Sequence, residues 1–226
     1  MFLLTAAVLL ACVPQATPQL QQHTLHEQSA HYSIDIKYPE IENDDLFNAA
    51  VHHAVASLTA PSKKDLPEGA APDFPEAAYL KGSYSAAILN NGIVSVLLDY
   101  DEYAPGAAHP WDVMASVNYD SRTCRVLALS DLFRPGVNYV ARISKLAIAD
   151  LDQGEYADQS IIRHGAGPVA SNFKVFTLTD TALVLHFPMA QVAATAAGAQ
   201  TAVIPLEKLA PWLIKTWLNK TRLRKP

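Results

Sequence analysis

The sequence predicts an α+β protein, an antiparallel sheet meander packed against a few helices. Two alternating apolar runs, Gly82–Leu89 and Ile93–Tyr103, are joined by Asn90-Asn91-Gly92. Asn-Gly between alternating strands is a type I′ hairpin signature, because both residues tolerate positive φ. Two other segments, Leu46–Leu58 and Val140–Leu151, carry apolar residues at helical spacing. Strands come in runs and do not alternate one for one with helices, which favours an antiparallel sheet over a parallel α/β one.

Taken in order, Met1–Ala11 is almost wholly apolar, and Leu9-Leu10-Ala11-Cys12 has the form of a bacterial lipobox. Residues 1–11 are therefore expected to be a signal peptide and Cys12 the lipidated residue. The apolar run is far short of the ~20 residues of a membrane-spanning helix. Residues 12–29, rich in Gln, read as a flexible tether. The chain holds 2 cysteines, so with Cys12 acylated Cys124 would stand alone.

Residues 30–38 place Tyr32, Ile34, Ile36 and Tyr38 on one side of a strand that Pro39 should end. Asn43-Asp44-Asp45 supplies a cap and two carboxylates for a helix running to about residue 59. Ala60–Pro75 carries 4 prolines and reads as a surface linker. After the hairpin comes a loop, Ala104–Pro110, then a third strand with Val113, Ala115, Val117 and Tyr119 on one face. A short fourth strand, Arg125–Leu129, closes the meander, and Ser130–Phe133 makes a helical turn. Asn138 caps the helix of Val140, Ile143, Ala147 and Leu151. Strands at Phe173–Leu178 and Ala182–Phe187, a last strand near Ala202–Pro205 and a broken helix over Leu206–Leu218 complete the reading. This divides the chain into α+β subdomains at 30–110 and 111–218 and a basic tail at 219–226.

With 17 basic against 22 acidic side chains the net charge is −5. That excludes a globally basic nucleic-acid binder, and no nucleic-acid partner is expected. Two cysteines exclude a disulfide scaffold and any multi-cysteine metal centre. Lys215, Lys220, Arg222, Arg224 and Lys225 read as a solvated basic terminus. The sequence has no phosphate loop, dinucleotide fingerprint or EF-hand loop, and no cofactor is expected.

His109 is the residue best placed for chemistry. It sits in a loop with Asp99, Asp101, Glu102 and Asp112 near in sequence and Trp111 beside it. A carboxylate against the imidazole would suit a general acid or base, the basis of an alternative reading as a cell-wall hydrolase. The more ordinary role is a His-Pro loop whose ring caps a backbone carbonyl. Asp99 and Asp101 share a strand face, where solvated charges are common. His23-x-x-His26, His31 and His52-His53 suggest at most a weak metal site, since adjacent helical residues point about 100° apart, and none is expected. Tyr100, Tyr103, Trp111 and Tyr119 cluster along the second and third strands. With His109 they could form a protein- or sugar-binding surface, but for Tyr100 and Tyr119 a sheet-on-helix core is the better reading.

From the third strand onward the residues follow a familiar order. Gly106-Ala107-Ala108-His109-Pro110 precedes Asn118-Tyr119-Asp120 with Thr123, then Leu129-Ser130-Asp131-Leu132-Phe133. Phe176-Leu178, Leu183-Leu185-Phe187, Ala196-Ala197-Gly198 and Ile204-Pro205-Leu206 follow. Over residues 30–210 the chain resembles the extracellular region shared by RsiV-like anti-sigma factors and PdaC-like peptidoglycan deacetylases. Residues 111–218 would be the RsiV-like subdomain.

The resemblance implies a non-catalytic binding module of the cell envelope, with a lysozyme-like protein or peptidoglycan as partner. The membrane would be reached through the lipid on Cys12. Val13 after that cysteine points to the periplasmic face of an outer membrane in a Gram-negative host. The candidate ligand-binding residues are Tyr103, His109, Pro110 and Trp111 in and beside the His109 loop, with Ala194 and Thr195. Two positions depart from the family pattern. Cys124 replaces a glycine after Thr123, and Ala194-Thr195 replaces Pro-Tyr before Ala196-Ala197-Gly198.

Overall fold

A computed structural model describes residues 17–29, 32–65, 78–155 and 157–214. The larger of its two sheets runs β1 (Leu20–Gln28), β2 (Tyr32–Ile41), β3 (Ala78–Ile88), β4 (Ile93–Tyr103), β5 (Trp111–Asp120) and β6 (Arg125–Val126), in that spatial order. Every neighbouring pair is antiparallel except β2 and β3, which run parallel with helix α1 (Asp45–Asp65) in their connection. The predicted α+β class holds, with one parallel pair inside an otherwise antiparallel sheet. β4 and β5 pair from Ile93↔Asp120 to Glu102↔Trp111, so the expected boundary after residue 110 falls inside a continuous sheet.

The second sheet is β7 (Phe176–Leu178), β8 (Ala182–Phe187) and β9 (Gln200–Pro205), all antiparallel. Helix α2 (Tyr139–Leu151) packs against it with Ile143, Ala147 and Leu151 buried, and the Asn138 side chain caps it by accepting from the Ala141 amide. Helices α3 (Gln159–Gly165) and α4 (Leu206–Leu209) complete the layer. Two apolar cores result. One lies under α1, where Phe47 and Val51 meet Ile34, Ile36, Val94, Val96, Leu98 and Val117. The other joins Ile93 and Leu132 to α2 and the second sheet through Phe173, Phe176, Leu185 and Phe187.

Several local expectations are corrected. Leu20–Gln28 is a strand paired along its length with β2, not part of a flexible tether. Its apolar residues are few because it is an edge strand, with only Leu20, His23, Leu25 and Glu27 half-buried. Pro39 does not end β2, which continues to Ile41. Beyond Ile36 the strand is paired only with β1, and a strand with one open side tolerates a residue that has no N–H to give.

The β3–β4 turn is not type I′, since Asn91 is absent from the positive-φ residues while Gly92 has φ +80°. The Gly92 amide bonds to the Leu89 carbonyl at 2.9 Å and the Leu89 amide to the Ile93 carbonyl at 2.8 Å. That is the three-residue hairpin in which a type I turn is followed by a left-handed glycine. Helix α1 extends past Pro61 to Asp65, because a proline removes one helical bond and bends a helix without always ending it. Helix α3 was not anticipated. Its 7 residues are too few to display a period, although Asp158 caps it through the Ser160 and Ile161 amides. After β9, α4 stops at Leu209. Leu213 then bridges to Phe133 in place of the continuing helix expected there.

Cys124 has φ +53°, the left-handed conformation that explains why a glycine suits this turn. It is disulfide-bonded, which overturns the expectation that it stands alone. Cys12, the signal segment, most of the linker, His31, Trp217 and the basic tail lie outside the described residues.

Candidate binding face

Strand alternation sorts the β4 side chains into two sets. Val94, Val96, Leu98 and Tyr100 point under α1 and are buried. Asp99, Asp101 and Tyr103 point to the other face. The register sets Lys81 of β3 and Asp112 of β5 on either side of Asp101, and Tyr79 opposite Tyr103. The Tyr79 and Tyr103 rings stack at 5.3 Å, and the Lys81 Nζ lies 4.3 Å over the Tyr79 ring. Burial, with the charges of Asp112 and then Asp101, holds the Asp99 carboxyl above the usual carboxylate range. Both oxygens of Asp112 accept from the Met189 amide at 3.0 Å. This bond ties the β4–β5 end to the loop after β8.

The expected site residues fall into three places. His109 is exposed, donates from Nδ1 to the Pro110 carbonyl at 2.9 Å, and lies tilted against Trp111 with ring centroids 5.9 Å apart. Trp111 is 46 % exposed. Among the described residues His109 makes no hydrogen bond or ion pair with a carboxylate. Tyr103 is on the opposite face of the sheet from Trp111, because Trp111 pairs with Glu102 and not with Asp101. Ala194 and Thr195 sit in the β8–β9 loop, where Ala194 is exposed and Thr195 opens a turn ending at Gly198 with φ +66°. The Asp112–Met189 contact joins the two loops a few residues from each set.

Two of the four clustered aromatics are core residues, as a sheet-on-helix core requires. Tyr100 and Tyr119 belong to the core under α1. The Tyr100 hydroxyl donates to the Lys37 carbonyl at 3.1 Å, and the Tyr119 hydroxyl to Asp44 Oδ1 at 2.7 Å. Burial pushes both phenols well above their ordinary pKa, reinforced at Tyr119 by the Asp44 carboxylate. Tyr100 also lies against Gly82, where a Cβ would come 2.5 Å from the Asp99 carbonyl oxygen.

Sequence spacing missed a second polar cluster. The Nε2 atoms of His52 and His23 approach the two oxygens of Glu40 at 2.7 Å and 3.5 Å, with Tyr38 packed against both rings. His23 and His26 are three apart on a strand, so they project to opposite faces and cannot act as the pair their spacing suggested. His186, which no sequence signal singled out, meets Thr177 Oγ1 at 2.8 Å, and burial pulls its pKa down. A cleft of about 290 Å³ between β5, β7 and α2 is lined by Ser116, Leu129, Tyr139, Phe173 and Lys174.

Residues 130–207 match the family described as "Protein of unknown function (DUF3298)". Over 203 residues the chain is 24 % identical to the peptidoglycan-N-acetylmuramic acid deacetylase PdaC of Bacillus subtilis strain 168. The match covers 88 % of this chain and 43 % of that protein, so the chain spans less than half the length of this relative. A crystal structure of a DUF3298-family protein from Bacteroides fragilis aligns with TM-score 0.61 at 16 % identity, over 93 % of this chain and 100 % of that one. Another from Pseudomonas aeruginosa PAO1 gives 0.59 at 16 % identity, over 90 % and 98 %. Residues 130–207 thus match the DUF3298 family model, in a chain that is similar to PdaC along most of its length and shares the fold of the DUF3298-family structures.

Proposed function

We propose that this protein is a non-catalytic binding module of the bacterial cell envelope, which recognises a lysozyme-like protein or peptidoglycan. The observation that carries this reading is the exposed end of the β4–β5 hairpin. There Trp111 stands 46 % exposed beside His109. A half-exposed tryptophan is the kind of anchor that dominates binding energies. The similarity to PdaC, a peptidoglycan enzyme by name, supports a place at the cell wall. The disulfide at Cys124 suits the oxidising space outside the cytoplasm. Tyr103, His109, Pro110 and Trp111 are the residues proposed to meet the partner, with Ala194 and Thr195 on the adjoining loop.

Calorimetric titration of the protein with a C-type lysozyme and then with muropeptides tests this. Binding to either is expected, weakened about tenfold or more in Trp111→Ala with the unfolding midpoint unchanged. Affinity that survives Trp111→Ala would move the interface elsewhere. No heat with either ligand would remove the reading.

A further inference from the structure

We draw no further inference here: the strongest candidate, the His23–Glu40–His52 cluster where β1 and β2 meet α1, has its carboxylate already taken up by the two imidazoles, and among the described residues no group of histidine, cysteine and acidic side chains is arranged to hold a metal ion.

Discussion

The Tyr119 hydroxyl donates to Asp44 Oδ1 at 2.7 Å, between two side chains that are both fully buried. The same oxygen accepts from the Phe47 amide at 3.1 Å, which makes Asp44 the cap of α1. One carboxylate thus fixes where the helix starts and pins it to β5, while the Tyr119 ring meets Phe47 edge-on at 5.5 Å. Its second oxygen, Oδ2, is buried and has no partner among the described residues, so the Tyr119 hydrogen bond is one of few compensations for a costly group.

Tyr119→Phe is therefore expected to cost about 1–3 kcal/mol, the range for leaving a buried polar group short of a partner. Asp44→Asn keeps a capping oxygen and should cost less than Asp44→Ala. Urea unfolding of the single and double variants measures the coupling. Additive losses from Tyr119→Phe and Asp44→Ala would show that the bond contributes nothing of its own.

Alkaline pH should weaken the fold through the same residue. The Tyr119 and Tyr100 phenols are raised above their ordinary value, so the folded state holds protons that the unfolded chain releases from about pH 10 upward. Stability from these groups is complete below that pH and declines as pH rises through it, because the unfolded state binds fewer protons there. The urea midpoint should fall between about pH 9 and pH 11, and fall less in Tyr119→Phe. An equal fall in wild type and variant would assign the effect to other groups.

The preceding residue of β5, Asn118, performs the matching task on the opposite face. Asn118 donates from Nδ2 to the Phe176 carbonyl at 2.8 Å and accepts from Ser95 Oγ at 2.7 Å. Ser95 Oγ in turn accepts from the Leu178 amide at 2.8 Å, and Ser116 Oγ from the Phe176 amide at 3.0 Å. The free edge of β7 is satisfied by side chains of β4 and β5 where another strand would otherwise pair. Asn118→Ala should cost about 1–3 kcal/mol for each group it orphans, with faster amide exchange at Phe176 and Leu178 than in wild type. Protection that stays unchanged at those two amides would disprove the role.

These two neighbours show what the sequence could reveal. The β3–β4–β5 meander was legible because alternation and an Asn-Gly turn are local, and so was α2 with Asn138 as its cap. Nothing local to Ser95 and Asn118 announces that β7 lies across them, and Asn118 and Phe176 are 58 positions apart. Strand alternation marks Tyr100 and Tyr119 as core, but it does not name the partners of their hydroxyls. A tyrosine in a strand does not disclose that its hydroxyl ends on a buried carbonyl or carboxylate. The edge strand β1 stayed hidden because it buries little. At the candidate site, the His109-Pro110 contact followed from adjacency in the chain, whereas the Asp112–Met189 bond spans 77 positions and depends on the packing of the two sheets.

Cys124 gives a prediction that separates two accounts of the envelope location. The chain has 2 cysteines, and Cys124 is disulfide-bonded. A bridge within one chain consumes both thiols, whereas acylation at Cys12 would leave Cys124 reduced. The two fates exclude one another in a single molecule. Protein isolated from cells should resist alkylation at Cys124 until it is reduced, and its intact mass should carry no lipid. Cys124→Gly would relieve the left-handed backbone strain of about 1 kcal/mol and remove the bridge. A net loss of stability in that variant would mean that the bridge contributes more than the strain costs, as is usual for a native crosslink. Alkylation of Cys124 without reduction, together with a lipid-bearing Cys12 peptide, would instead establish the anchored form and rule the bridge out.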